Sequence, residues 1–221
     1  MAAIQHWSKE LLDIVRVRVE FSGNPPEHGL LMMNHISWLD VFVLNAVAPS
    51  RFVSKAEVAR WPLVGYLCSA SGTLYIERTR KTAARRTNWM IFDALGNGDR
   101  VAVFPEGTTT AGDRLLRFHA ALLQPAIVDG GAIHPVTLHY FDADGRRSPA
   151  VSYVDDETLV GSVWQLLSAQ SVLARLQFDE AEPAAGRHRR EIADTLHARI
   201  SRRLDPGEAL PAPGICDDPL G

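Results

Sequence analysis

The sequence predicts an α/β fold in which a mostly parallel central sheet is flanked by helices. Short apolar runs recur along the chain, and several are followed by a small polar cluster at the expected end of a strand. Stretches with helical spacing separate these runs, which is typical of parallel sheets with helical crossovers. With 221 residues and 46% hydrophobic content, the chain is expected to form one domain with a full core.

The first predicted element is an amphipathic N-terminal helix. Five apolar residues fall at helical spacing: Ile4, Trp7, Leu11, Ile14 and Val15. A helix of this kind that carries a tryptophan either lies on a bilayer surface or packs on its own domain, and the pattern does not choose between the two. Residues 15–21 then alternate apolar and charged side chains, which predicts a strand with one wet face.

The next predicted strand ends in a polar turn that carries a histidine. The apolar run 30–33 leads into His35, and Asp40 follows five positions later. Ser37 and Asp40 match a capping box, so a helix is expected to begin at Ser37. His35 then lies at the carboxyl end of a strand, where open α/β sheets bind ligands. A histidine there acts as a base near neutral pH, and a carboxylate holds its tautomer. Taken alone, the pair is equally explained by a capping acid and a polar loop residue.

Two further predicted strands end in comparable clusters. One leads into Glu77 and Arg78, and the other leads into Glu106, Gly107 and Thr108. Because the carboxyl ends of parallel strands meet at one edge of a sheet, these clusters are expected to share a cleft with the histidine. The cleft would combine a base, its orienting carboxylate, a cation and an acid.

The rest of the chain continues the alternation of elements. Strands are predicted at residues 51–54, 72–76, 101–104, 132–141, 151–154 and 172–178. Helices are predicted from Ser37 to about residue 48, up to about residue 96, and at 119–128, 159–169 and 187–203. We expect the domain to span 1–204 and residues 205–221 to form a flexible tail, because four prolines and three glycines lie there.

Composition and spacing exclude several function classes. The net charge of -3 offers no global attraction to nucleic acid. Cys68 and Cys216 have no metal-like spacing, so neither a metal site nor a disulfide framework is expected. The sequence shows no signal peptide and no apolar run of about 18 residues, so membrane contact is expected from the side. A Gly-x-Ser-x-Gly elbow is also missing, which argues against a serine hydrolase.

The predicted cleft suits the transfer of an activated acyl group to a hydroxyl. A hydroxyl is a poor nucleophile at neutral pH, so His35 would take its proton during the attack. A thioester donor is already activated, so the reaction requires neither a metal nor a covalent enzyme intermediate. Arg78 would offer a fork of donors to an anionic group of the acceptor. Backbone N–H groups around Gly107 would stabilise the developing oxygen charge.

The chain resembles the lysophospholipid acyltransferase family, of the 1-acylglycerol-3-phosphate O-acyltransferase type. Four motif blocks match in order at residues 34–40 (the His-x4-Asp block), 72–78, 104–108 and 133–136, and the motif core spans 30–141. The resemblance implies that His35 is the general base and that Asp40 orients it. It also implies a set of substrate-binding residues: Arg78, Glu77, Glu106, Gly107, Thr108 and Lys55.

The resemblance also implies the reaction partners. The donor would be acyl-CoA or acyl-carrier protein, with no further cofactor and no metal. The acceptor would be a lysophospholipid, and 1-acylglycerol-3-phosphate would give phosphatidic acid. The enzyme would be peripheral, on the cytoplasmic side of the inner membrane, with no nucleic-acid partner.

Two features depart from the family pattern. The third block usually continues Thr-Arg-Ser, whereas this chain has Thr109 in place of that arginine. Either Arg114, Arg117 or Lys55 compensates, or the acceptor lacks phosphate, as a lyso-ornithine lipid does. An N-terminal hydrophobic hairpin is also missing, so membrane docking is expected at the first helix and at residues 61–67. A non-catalytic lipid-binding module is the alternative from another class.

Overall fold

The structure is a computed structural model, and it describes residues 1–60, 65, 69, 72–76, 83–154, 157–205 and 214–215. The helices of this part are α1 (Ala2–Ile14), α2 (Asp40–Val47), α3 (Ala83–Gly96), α4 (Gln124–Asp129), α5 (Leu159–Ser168) and α6 (Arg189–Leu204). The strands are β1 (Val17–Ser22), β2 (Gly29–Met33), β3 (Arg51–Lys55), β4 (Leu74–Ile76), β5 (Arg100–Val103), β6 (Ala132–Phe141), β7 (Val172–Phe178), β8 (Glu182–Pro183) and β9 (Gly214–Ile215).

The strands form one sheet in the order β4-β3-β5-β2-β6-β7-β1-β9, and β8 pairs with β6. The five strands from β4 to β6 are mutually parallel, β7 runs antiparallel to β6, and β1 runs parallel to β7. This arrangement confirms the predicted α/β fold with a mostly parallel sheet. The carboxyl ends of β2 to β6 therefore lie at one edge of the sheet, which we call the carboxyl edge.

Helices cover both faces of the sheet, and β2 shows why its sequence is a continuous apolar run. Leu31 and Met33 belong to a core cluster with residues of α1, α2 and α5. Leu30 and Met32 point to the other face, into a cluster with residues of α3, α4 and α6. All four side chains are fully buried, as expected for a parallel strand with helices on both sides.

Helix α1 uses its apolar face inside the domain. Leu12 is buried, and the Trp7 ring meets the Phe42 ring of α2 edge-on, with 5.7 Å between the centroids. The Gln5 side chain also donates a hydrogen bond to the Ala46 carbonyl at 3.1 Å. Of the two alternatives for this amphipathic helix, packing on its own domain is therefore the one observed. No described helix is long and apolar enough to cross a bilayer.

Two expectations about local structure are corrected. Helix α2 begins at Asp40 rather than at Ser37. The Asp40 carboxylate accepts from the Ser37 N–H as a capping box requires, but the Asp40 N–H donates to the Ser37 carbonyl at 3.2 Å and not to the Ser37 hydroxyl. The strand predicted at 151–154 is also wrong: Pro149–Val151 form a 3₁₀ turn. The Tyr153 N–H then donates to the Ile36 carbonyl at 3.1 Å, which ties this segment to the His35 loop rather than to the sheet.

The tail is described only in part. Gly214 and Ile215 pair antiparallel with β1, through Phe21 and Glu20. The other residues from 206 onward lie outside the described part of the chain, so a flexible tail and a domain boundary at residue 204 stay predictions.

Candidate active site

The end of β2 fixes the position of His35. Asn34 is buried, and its side-chain amide donates to the Leu138 carbonyl at 3.0 Å while accepting from the Leu138 N–H at 2.8 Å. These two bonds continue the β2–β6 ladder by one step beyond Met33, where backbone pairing has stopped. The loop that carries His35 therefore starts from a rigid point at the carboxyl edge.

Asp40 is fully buried, and four donors surround its carboxylate. Oδ2 lies 2.8 Å from His35 Nδ1 and accepts from the backbone N–H groups of Ile36 at 2.7 Å and Ser37 at 3.0 Å. Oδ1 accepts from the Tyr140 hydroxyl at 2.9 Å. A carboxylate with this many donors is held in one orientation, and burial without such bonds would be costly.

The contact with Asp40 sets the chemistry of the His35 ring. A carboxylate only accepts, so Nδ1 carries the proton and Nε2 keeps its lone pair. Nε2 has no hydrogen-bond partner among the described residues, and 21% of the side chain is exposed. The ring also stacks on Phe104, with 3.8 Å between the centroids and 13° between the planes. The geometry thus presents an oriented basic nitrogen at the carboxyl edge.

Glu106 connects the two loops that follow β2 and β5. Its Oε1 accepts from the His35 N–H at 2.9 Å, and its Oε2 accepts from the Leu116 N–H at 2.8 Å. Burial raises the pKa of this carboxyl above its usual value, and the two backbone bonds partly oppose that effect. Because both carboxylate oxygens already accept hydrogen bonds from backbone N–H groups, Glu106 stabilises the loop that carries His35. A direct contact between Glu106 and substrate stays a prediction.

The turn after Glu106 contains the two other residues predicted from this block. Gly107 adopts φ 72°, which favours glycine, and its N–H donates to the Phe104 carbonyl at 3.2 Å. That donor is therefore engaged within the turn. Thr108 is exposed, and its N–H finds no partner among the described residues. The Glu106 N–H also has no partner among the described residues, but Glu106 is buried, so the exposed Thr108 carries the more accessible of the two donors.

Thr109 stands where the family pattern has an arginine, and its hydroxyl donates to the Tyr153 carbonyl. The Thr109 side chain thus supports the fold. The next residue, Thr110, donates its N–H to the His35 carbonyl at 2.9 Å and its hydroxyl to the Arg114 carbonyl at 3.3 Å. These contacts bring the Arg114 backbone next to the His35 loop, and the Arg114 side chain is exposed.

Three predicted substrate-binding side chains lie outside the described residues: Glu77, Arg78 and Lys55. The backbone of Lys55 ends β3, and β4 ends one residue before Glu77, so both strands lead to the carboxyl edge. The predicted docking segment 61–67 also lies outside the described residues, apart from Gly65. In the part of the chain that the structure describes, no group of three or more His, Cys, Asp or Glu side chains is placed to hold a metal ion.

Two residues of the site were not assigned a role from the sequence. Tyr140 lies two positions after the core residue Leu138, so the strand pattern identifies the face on which it lies. The pattern does not show that Asp40 is on the same face. The sequence predicts Phe104 as the end of a strand and as the first residue of the third motif block, and neither pattern identifies the ring on which it stacks.

The sequence matches one protein-family model and is similar to proteins with known names. The family model for Acyltransferase matches residues 16–139. The chain is 36% identical over 188 residues to the lyso-ornithine lipid O-acyltransferase of Pseudomonas aeruginosa, covering 85% of this chain and 72% of that protein. It is 33% identical over 202 residues to the 1-acyl-sn-glycerol-3-phosphate acyltransferase of Neisseria meningitidis, covering 90% of this chain and 79% of that protein.

The fold is also similar to a solved structure. The crystal structure of the 1-acyl-sn-glycerophosphate (LPA) acyltransferase PlsC from Thermotoga maritima matches with a TM-score of 0.69. The match covers 92% of this chain and 77% of that one, at 19% sequence identity. At this identity, the likeness establishes the shared fold.

Proposed function

The chain belongs to the acyltransferase family, and we propose that it moves a fatty acyl group from a thioester donor to the free hydroxyl of a lysolipid. The observation that carries this proposal is the 2.8 Å contact between His35 and Asp40, which leaves the His35 Nε2 lone pair at the carboxyl edge. The donor is acyl-CoA or acyl-carrier protein, whose thioester is already activated.

In the proposed mechanism, His35 Nε2 takes the proton of the acceptor hydroxyl while the hydroxyl oxygen attacks the thioester carbonyl carbon. The buried Asp40 carboxylate stabilises the imidazolium that forms. Collapse of the tetrahedral intermediate breaks the carbon–sulfur bond, and the thiolate takes the proton back from His35. The products are an ester and a free thiol, and the enzyme returns to its starting state.

The tetrahedral intermediate carries negative charge on the former carbonyl oxygen. We assign its stabilisation to the exposed Thr108 N–H, because the neighbouring Gly107 N–H is already engaged by Phe104. Proline lacks a backbone N–H, so Thr108→Pro would remove this donor, whereas Thr108→Ala keeps it and serves as the matched control.

The first candidate acceptor is 1-acylglycerol-3-phosphate, the substrate named for the Neisseria meningitidis relative. A phosphate headgroup needs cations, and the sequence offers Arg78 and the exposed Arg114 for it. Arg114 takes the role left open at Thr109, because its backbone is tied through Thr110 to the His35 loop. Arg117 lies three positions farther on and is also exposed. Among the described residues its own backbone has no hydrogen bond to the His35 loop, so it gives a matched comparison.

The second candidate acceptor is a lyso-ornithine lipid, the substrate named for the Pseudomonas aeruginosa relative. The observation in its favour is the commitment of the Thr109 hydroxyl to the Tyr153 carbonyl, because this leaves no side-chain cation at that position for a phosphate.

The test is release of free thiol from acyl-CoA or acyl-carrier protein in the presence of each acceptor. The first candidate is supported if the chain acylates 1-acylglycerol-3-phosphate and Arg114→Gln weakens this reaction, mainly by raising KM. Arg117→Gln is expected to resemble the wild type. Transfer only to the lyso-ornithine acceptor selects the second candidate. If no thiol is released with any donor and acceptor, the proposal is overturned and a lipid-binding module is favoured.

Both candidate acceptors are membrane lipids, so we place the enzyme peripherally on a bilayer, on the cytoplasmic side where the thioester donors are made. This location follows from the proposed substrates.

A further inference from the structure

Helix α5 presents an apolar face that the rest of the described chain does not cover. Val160, Trp164 and Leu167 are 79%, 73% and 47% exposed, and their i, i+4, i+7 spacing places them on one side of the helix. The other side holds the buried Ser162 and Leu166. No residue of α5 is charged, although helices that face water normally carry charges on the exposed side.

The sheet topology places α5 beside the candidate active site. Phe141, at the carboxyl end of β6, pairs with Leu173 at the start of β7, so β7 begins at the carboxyl edge. Three residues separate the end of α5 from the start of β7. The inner side of α5 contacts the loop between His35 and Asp40, because the Trp38 indole N–H donates to the Ser162 hydroxyl at 3.0 Å. The exposed apolar side of α5 therefore borders the entrance to His35.

The end of α1 extends this surface. Val17 at the start of β1 pairs with Val172 of β7, which brings Ile14, 74% exposed, to the same edge. We call Ile14, Val160, Trp164 and Leu167 the apolar rim. The apolar rim holds half of the exposed large hydrophobic residues in the described part of the chain. The other half are Met1, Trp89, Phe92 and Val128.

A cation stands at the margin of the rim in an unusual backbone conformation. Arg16 is exposed and has φ 58°, the left-handed region that normally favours glycine after a helix. Its carbonyl accepts from the Val172 N–H at 3.3 Å, which fixes this residue where α1 and β7 meet. The turn thus carries a positive charge at a position where glycine would be less strained.

We propose that the apolar rim docks on an anionic lipid bilayer, with Trp164 at the interface and Arg16 at the headgroups. This inference rests on the proposed function, because a lysolipid acceptor resides in the bilayer that the carboxyl edge must reach. An uncharged helix face with an exposed tryptophan inserts into the headgroup region, and a flanking arginine is attracted by anionic lipid. Docking in this orientation lets an acceptor reach His35 without leaving the membrane surface.

The rim replaces the apolar face of α1 as the docking surface. The α1 face expected to lie on the bilayer packs on α2, and only Ile14 at its C-terminal end stays outside. Docking through α5 therefore requires no rearrangement of the core that orients Asp40.

The experiment is flotation of the full chain with phosphatidylcholine vesicles, with and without phosphatidylglycerol. The rim variant is Val160→Asn combined with Trp164→Gln. The control is Val128→Asn, because Val128 is also an exposed valine, 64% exposed, but lies on α4, which leads into the start of β6 at the opposite edge of the sheet. We expect the rim variant to partition onto vesicles about tenfold more weakly than the wild type, since two large apolar side chains no longer bury surface in lipid. The control should partition like the wild type.

Arg16→Gly separates charge from folding. Glycine relieves the left-handed strain, so thermal stability should be kept or improved while binding to vesicles with phosphatidylglycerol falls. Binding to pure phosphatidylcholine vesicles should be unchanged. Loss of stability in Arg16→Gly with unchanged binding to anionic vesicles would overturn the role of this residue.

The rim proposal and the proposed function fail in different ways. Unchanged flotation of the rim variant would overturn the docking proposal. A wild-type dimer that becomes a monomer in the rim variant would also overturn it, because a second copy of the chain would then cover this surface. The rim variant should transfer acyl groups normally to a short-chain lysolipid dissolved as monomers, and poorly to lysolipid embedded in vesicles. A wild-type chain that floats through the rim but transfers nothing would contradict the proposed function alone.

Discussion

Tyr140 donates its hydroxyl to Asp40 Oδ1 at 2.9 Å, across a separation of 100 positions in the chain. The other oxygen of this carboxylate, Oδ2, contacts His35 Nδ1, so hydrogen bonds fix the Asp40 side chain from two sides. Burial and the neighbouring Asp40 charge raise the pKa of Tyr140 well above its usual value, which keeps the hydroxyl protonated and donating. We infer that Tyr140 positions the proposed base through Asp40.

Tyr140→Phe tests this positioning role. We expect kcat to fall about tenfold with KM nearly unchanged, because Asp40 loses one of the bonds that orient it. Stability should fall by about 2 kcal/mol, since a buried hydrogen bond to a charged group is lost. The alkaline limb of the pH–rate profile should not move, because Tyr140 does not ionise in the working range. A variant with wild-type kcat would show that Asp40 needs no such support.

Asn34→Asp tests the side-chain extension of the β2–β6 ladder. The new carboxylate would still accept from the Leu138 N–H but would face the Leu138 carbonyl without a proton to donate. We expect a loss of about 2–4 kcal/mol in the free energy of unfolding, measured by urea denaturation near pH 7.

The matched control for Asn34 is Asn45→Asp. Asn45 is also buried, but its side chain accepts from the Ser50 N–H through Oδ1 at 2.9 Å, which a carboxylate can do equally well. We expect a clearly smaller loss of stability. Equal losses in the two variants would mean that burial of the charge alone explains the effect.

His139 predicts a dependence of stability on pH. Burial lowers its pKa to about 4, and the nearby positive charges of Arg147 and Arg175 act in the same direction. As the pH falls below the ordinary pKa of histidine, His139 binds a proton in the unfolded chain but stays neutral in the folded chain. The free energy of unfolding should therefore decline between about pH 6.5 and pH 4, by an amount on the order of 3 kcal/mol from this group.

The measurement for His139 is urea denaturation across that pH range, on the wild type and on His139→Gln. The decline should be shallower in the variant, since its side chain does not titrate. His6→Gln is the control, because the His6 side chain is 70% exposed. An identical pH slope in wild type and His139→Gln would contradict this assignment.

Much of the fold could be predicted because the buried strands stand out as short apolar runs. The runs that form β2 and β5 end in polar clusters, so a parallel sheet and the position of His35 at a strand end followed from the pattern. Asp40 lies only five positions from His35, within the reach of one loop, so that pair was also accessible to sequence reasoning.

Other features depend on contacts between distant parts of the chain. The pairing of Asn34 with Leu138 spans 104 positions, and no local pattern indicates it. Only half of the capping box forms: Asp40 Oδ2 accepts from the Ser37 N–H, but the Asp40 N–H donates to the Ser37 carbonyl and not to the Ser37 hydroxyl. The amphipathic pattern of α1 showed that one face would be covered, but it did not show whether lipid or α2 would cover it.

The most direct test of the central claim is the rate of thiol release by His35→Gln with its best lysolipid acceptor. His119→Gln is the matched control, since His119 is an exposed histidine outside the carboxylate contact. Loss of the base should lower kcat about 10³-fold while acceptor binding and thermal stability stay close to those of the wild type. Near-normal turnover in His35→Gln would contradict general-base catalysis by His35.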